Sequence, residues 1–92
     1  MRARYAAYAL GDERFLLESW HPSTRPVRLD LDATVRWTGL TVVATVAGGP
    51  TDDTGEVSFV AAYQQRGVPG VLAERSRFER RPDGWVYVDA LA

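Results

Sequence analysis

The chain contains no cysteine and no lysine, a single histidine, a single methionine, and no apolar run long enough to span a bilayer. Each absence closes a class of function. Without cysteine there are no disulfides, no thiolate metal sites and no thiol nucleophile, which fits a cytoplasmic protein. One histidine cannot form a metal-spaced cluster, and neither a phosphate-cradling glycine loop nor a nucleophile elbow occurs. Gly48-Gly49 runs into Pro50 and a polar loop rather than a helix, so it offers no helix-dipole phosphate site. No metal and no cofactor are therefore expected. The longest apolar stretch, Leu40 to Ala47, is broken by Thr41 and Thr45, so nothing there spans a membrane. Met1 to Leu10 has Arg2 and Arg4, but its apolar run is far too short for a signal peptide.

What is present is balanced. Eleven basic residues, all arginine, face twelve acidic ones, for a net charge of −1. That balance argues against nucleic acid or an acidic membrane as a partner held by bulk charge. The all-arginine usage is a composition habit that also suits paired, partly buried charges, because a guanidinium makes forked hydrogen bonds. With 92 residues, 46% hydrophobic, and ten aromatics, the chain supports a single domain over 1–92. Its core is thin, and a homodimer interface would help it.

Arg2 to Leu10 reads as a helix, with Tyr5, Tyr8 and Ala9 at i, i+3, i+4 spacing and Gly11 as its stop. Asp12 suits the N-cap of a second helix, with Glu13 in its first turn. Phe15, Leu16, Ser19 and Trp20 line one face of that helix, and His21-Pro22 ends it. The crossing loop from His21 to Leu31 is expected to hold a short strand near Val27 to Leu31. Thr34 to Val46 reads as a strand, with Gly39 marking a bulge or a close backbone approach. Gly48 to Gly55 is a polar loop. Glu56 to Gln65 alternates in the manner of a strand, and Gln65 to Gly70 turns the chain. Val71 to Asp89 then reads as two long strands around Pro82-Asp83-Gly84, and the rest of the chain serves to cover or extend this pair. Two helices followed by hairpin-linked strands define an α+β domain with an antiparallel meander. Strands this long must twist and curve, and the helices are available to fill the concave side.

Several segments together resemble the YchJ-like bacterial proteins. They are Met1 to Leu10, Phe15 to Pro26, Trp37 to Leu40, Val57 to Ala61, Glu74 to Phe78 and Trp85 to Asp89. They match the central domain of that family in order and over nearly the whole chain. Trp-His-Pro (Trp20 to Pro22) followed by Glu-Arg-Ser-Arg-Phe (Glu74 to Phe78) is the specific combination. The resemblance implies a fold similar to nuclear transport factor 2, a cystatin-like cone in which a curved sheet has helices across its mouth. It implies no biochemical activity. Many family members carry cysteine-rich metal-binding segments resembling the tail of the SecA translocation motor. This cysteine-free chain has none, so zinc or iron binding is not carried over. Met1 falls where relatives have an internal Met-Arg, so their first helix is expected to begin earlier.

Three residues are candidates for acid–base chemistry: His21, Glu74 and Asp89. His21 is the only side chain whose ordinary titration lies near neutrality; read blandly, it bonds the last carbonyls of a helix. Alternation places Glu74, Ser76 and Phe78 on one strand face, and Phe78 marks that face as the packed one. An inward Glu74 must pair or protonate, and the expected partner is Arg4 or Arg14 from the helices, or a neighbouring-strand group. Read blandly, that pair fixes the first helix on the sheet. The ligand-binding candidates are Tyr5, Tyr8, Trp20, His21, Trp37, Glu74, Ser76 and Tyr87, which would serve equally as core. Arg75, Arg77, Arg80 and Arg81 form a basic strip for which solvated cross-strand pairing is the expected account.

Three functions compete, and the absence of a recognisable catalytic set favours the first over the second and the second over the third. The first is a non-catalytic interaction or accessory domain, dimeric through its outer sheet face, for which an empty or closed cone is expected. The second is small-molecule binding in the cone, which requires an open apolar pocket with two or three polar groups. The third is an acid–base enzyme, which requires His21 and a carboxylate within reach of one point. The fold alone does not choose among them.

Overall fold

The computed structural model describes residues 1–91. Two helices, α1 (Arg2–Leu10) and α2 (Glu13–Glu18), precede four strands: β1 (Val35–Ala47), β2 (Thr54–Gln65), β3 (Val68–Arg81) and β4 (Gly84–Ala90). The strands form one antiparallel sheet in the order β1-β2-β3-β4. No helix among the described residues is long and apolar enough to cross a membrane.

The helix boundaries follow from local chemistry. Gly11 adopts φ 70°. It lets its own N–H reach the Tyr8 carbonyl at 3.3 Å and the Asp12 N–H reach that of Ala7 at 2.8 Å, which closes α1 with paired carbonyls. Asp12 then caps α2, its Oδ1 accepting from the Phe15 N–H at 3.1 Å. On the expected face of α2, Leu16 is fully buried while Phe15 stays 37% exposed. Burial of that leucine is worth about 2 kcal/mol.

α2 ends before the expected His21-Pro22 boundary. Ser19 is already its cap, and the chain then lies beside β4. Tyr87 N–H donates to the Ser19 carbonyl at 2.9 Å, and His21 N–H donates to the Tyr87 carbonyl at 2.7 Å. These bonds satisfy the outer edge of β4, which would otherwise stay open, and they hold Trp20 in a parallel bridge with Tyr87. Thr24 Oγ1 extends the strap by donating to the Val88 carbonyl at 2.7 Å. The short strand expected at Val27 to Leu31 does not form. Val27 is 99% exposed, and Leu29 N–H reaches the Glu13 carboxylate at 3.4 Å instead of a strand neighbour.

The turn between β2 and β3 is tighter than the Gln65 to Gly70 stretch expected. Arg66 (φ 52°) and Gly67 (φ 82°) form a two-residue connection of the kind whose twist suits a hairpin. β3 therefore starts at Val68 and contains Pro69. That proline is tolerated because β4 pairs with β3 only from Ser76 onward, so the missing N–H faces no neighbour. Bulges bend the sheet. Thr38 and Val43 are unpaired extras on β1, the first beside Gly39 as expected, and Val88 is the extra on β4.

Alternation puts Trp37, Phe59, Ala61, Tyr63, Glu74, Ser76, Phe78 and Tyr87 on the concave face. Phe59, Ala61, Ser76 and Phe78 are buried there, together with Ala7 of α1 and Leu16 of α2. α1 crosses that face from one edge strand to the other. Tyr5 and Tyr8 meet Trp37 of β1 with ring centroids 6.2 and 6.3 Å apart. At the opposite edge the Arg4 guanidinium lies 4.4 Å from the Tyr87 ring of β4. The expected curved sheet with helices across its hollow is what the chain forms.

Candidate functional site

Between α1 and the concave face lies an open cavity of about 170 Å³. Its walls are apolar and largely aromatic: Tyr5 and Tyr8 from α1, Trp37 from β1, Phe59 and Ala61 from β2, and Leu72 from β3. Its polar groups are Arg4, Glu74, Ser76 and Tyr87.

Arg4 is only 5% exposed. Its Nη1 donates to the Leu16 carbonyl at 3.1 Å and to Ser19 Oγ at 2.8 Å, tying α1 to α2. The guanidinium carbon sits between Trp20, 5.1 Å away, and Tyr87, 4.4 Å away, so ring faces replace water around the cation. Burial lowers its pKa, and the neighbouring Tyr8, Tyr87 and Glu74 partly restore it. No carboxylate forms an ion pair with Arg4 among the described residues.

Glu74 points into the cavity, as alternation requires, but its partner is not the expected arginine. Ser76, on the same strand face, donates its hydroxyl to Glu74 Oε2. Arg14, the other expected partner, is spent on Glu18 one turn along exposed α2, at 2.9 Å. Tyr87 completes the polar floor. Burial first, and the Glu74 charge second, push its phenol up to about 12, so it remains a proton donor at ordinary pH.

The sequence-level candidates divide between the two sides of the sheet. Tyr5, Tyr8, Trp37, Glu74, Ser76 and Tyr87 line the cavity. Trp20 stands behind it, edge-on to Tyr87 at 4.9 Å between centroids. The Trp20 Nε1 is buried with no partner among the described residues. His21 and Asp89 lie elsewhere. Asp89 pairs with Arg77 at 3.2 Å across the outer face. His21 Nε2 is 3.2 Å from the carboxylate of Glu79, which follows inward-facing Phe78 and so points outward. The Ser23 N–H donates to His21 Nδ1 at 3.0 Å, which leaves the ring proton of the neutral tautomer on Nε2, toward Glu79. Rather than bonding helix carbonyls, His21 pins the strap to β3. The three acid–base candidates therefore do not share a cavity.

Most of the basic strip is engaged on the protein itself. Arg75 lies 3.4 Å from Glu56, and Arg80 donates to the Asp52 carbonyl at 2.9 Å and the Gly49 carbonyl at 2.8 Å. Arg77 pairs with Asp89 at 3.2 Å, whereas Arg81 lies 3.3 Å from His21 Nε2, where, with the ring proton on Nε2, two donors meet and no hydrogen bond forms. Among the described residues no three His, Asp or Glu side chains gather as a metal ion would require. Sequence reasoning named Arg4 only as a partner for Glu74. Two arginines two residues apart at the start of a tyrosine-rich helix gave no sign of which was buried.

A bent antiparallel sheet with helices laid over a ligand-sized hollow defines the class of nuclear transport factor 2-like domains. The chain belongs to the YchJ family, by a match of residues 1–90 to its middle NTF2-like domain. A UPF0225 protein of Streptomyces coelicolor is 54% identical over 97% of this chain and 68% of that protein. A UPF0225 protein of Streptomyces avermitilis is 51% identical over 97% of this chain and 61% of its own length. The chain thus spans roughly two thirds of these relatives. Among solved structures, a SEC-C motif containing protein from Rhodopseudomonas palustris superposes with a TM-score of 0.83. Its identity is 29%, and the match covers all of this chain and 74% of that one. None of these names states an activity.

Proposed function

We propose that the domain is a non-catalytic small-molecule binding module and that the cone is its ligand site. One observation carries this reading: an open cavity of about 170 Å³, walled by aromatic rings, holds a buried arginine and a carboxylate that are not paired with each other. A chain using these side chains only as core would close the hollow, because native interiors leave few voids larger than water. The acid–base alternative is not favoured, since His21 and Asp89 sit on the far face from Glu74. The test is a fragment screen read by ¹H–¹⁵N NMR. Binders should perturb Tyr5, Tyr8, Trp37 and Tyr87. A screen whose hits all fall outside the cone, or that yields none, would contradict the reading.

A second reading, compatible with the first, concerns the outer face. The accessible surface is 6221 Å², whereas a folded monomer of this mass exposes about 5,300 Å². The excess resembles the roughly 800 Å² that one partner contributes to a standard interface. Register places Thr41, Val60 and Ala73 in one row and Ala62 and Val71 in the next, a flat patch of small side chains on the convex side. The proposed occupant is the same patch of a second copy. Light scattering at micromolar concentration should give twice the monomer mass, and Val71→Arg, at a position 69% exposed, should halve it without unfolding. A monomer at all concentrations sinks this reading.

A further inference from the structure

This inference rests on the cone being a ligand site, and it assigns the chemistry of the ligand. Of the side chains lining the cavity, one is a cation, Arg4, and one an anion, Glu74; Met1 also lines it, and burial first, then Arg4 and Arg2, lower the pKa of its α-amine. Each of the two charged side chains is served only by neutral hydrogen-bond partners: the Leu16 carbonyl and Ser19 hydroxyl for Arg4, the Ser76 hydroxyl for Glu74. The two side-chain charges sum to zero, and the lowered pKa of the Met1 amine disposes it to its neutral form. A singly charged ligand would pair with one of them, face a like charge on the other, and bring a net charge into a half-dry site. A ligand offering an acceptor to one side and a donor to the other meets both residues and adds no charge.

Size narrows the class. An apolar cavity of about 150 Å³ holds one benzene molecule, so about 170 Å³ takes a single ring with a small head group. The walls favour an aromatic ring, because Tyr5, Tyr8 and Trp37 already pack edge-on and tilted toward one another, and a further ring extends that arrangement. We infer that the cone takes a one-ring aromatic or heteroaromatic molecule bearing a neutral amide-type group. Its carbonyl would turn toward Arg4 and its N–H toward Glu74. A primary carboxamide and a lactam edge both meet this description.

The test uses three probes of matched shape, benzamide, benzoate and benzylamine, titrated into the whole chain at neutral pH and followed by NMR shifts of the cavity residues. Benzamide should bind at least about ten-fold more tightly than either charged probe. In Glu74→Gln the cavity is left net positive, and benzoate should then overtake benzylamine by a similar factor while benzamide weakens. If benzoate or benzylamine equals benzamide in the wild type, the assigned chemistry is wrong and the cone remains a ligand site. If no probe perturbs the cavity residues, both readings fall. The wild-type ranking needs no variant, so misfolding of Glu74→Gln would not rescue the inference.

Discussion

Replacing Arg4 by alanine would remove two hydrogen bonds to α2, leave the Leu16 carbonyl with only the long bond from Ser19 Oγ at 3.3 Å, and strip the cation from between Trp20 and Tyr87. An expected loss of about 2–4 kcal/mol in urea unfolding follows. Lysine should recover only part of it, because an ammonium lacks the flat fork that both stacks and donates. Tyr87 offers a second test at the same scale. Its phenol is raised from 10.0 to about 12, so between those values the folded state holds a proton that the unfolded chain has released. The stabilisation is complete below pH 10 and disappears as pH rises through about 12. Phenolate absorbance should therefore show one late-titrating tyrosine, and Tyr87→Phe should flatten the fall in melting temperature across that window. Glu74, Ser76 and Phe78 were legible as inward-facing because period-two alternation needs only one packed aromatic to set its phase. His21 and Asp89 were not, since composition marks them as reactive but says nothing about which side of the sheet they occupy. His21→Ala should loosen the strap, lowering the melting temperature, and leave binding in the cone unchanged. A change in cavity affinity without loss of stability would contradict the placement of His21 on the outer face.

Among the elements, those whose ends are fixed by local chemistry could be read from the chain. Gly11 and Asp12 punctuate the helices by backbone freedom and capping, and Pro82-Asp83 turn β3 into β4. The misread boundaries depend on pairing with distant residues. α2 stops short because Ser19 and His21 bond to Tyr87, more than sixty positions away. β3 extends through Pro69 because β4 is too short to demand its N–H. The segment around Val27 has strand-forming residues but no ladder to join. The β1–β2 connection gives a sharp element-level test. A Cβ at Gly55 would lie 2.8 Å from Gly48 Cα and 3.1 Å from its nitrogen. Backbone cannot swing aside as a side chain can, so Gly55→Ala should destabilise by about 1–3 kcal/mol in thermal unfolding. A neutral outcome would mean that the two chain segments are not in contact.

At the scale of the whole molecule, the fold was legible because length, strand count and a recognisable set of motifs all point to one layered arrangement. The hollow was not, since its volume depends on how three bulges bend the sheet and on α1 lying from Trp37 to Tyr87. The same curvature separates a polar-floored cavity inside from paired charges and small side chains outside. In the proposed reading, ligand binding belongs to the first of these surfaces and self-association to the second. Where a small ring settles decides between a ligand site and a packed hollow. Benzamide titrated against the ¹⁵N-labelled chain should move the resonances of Arg4, Tyr5, Tyr8, Trp37 and Tyr87 in a saturable way and leave those of Val60, Val71, His21 and Asp89 in place. Saturable shifts confined to the outer face, or no saturable shifts at all, would contradict it.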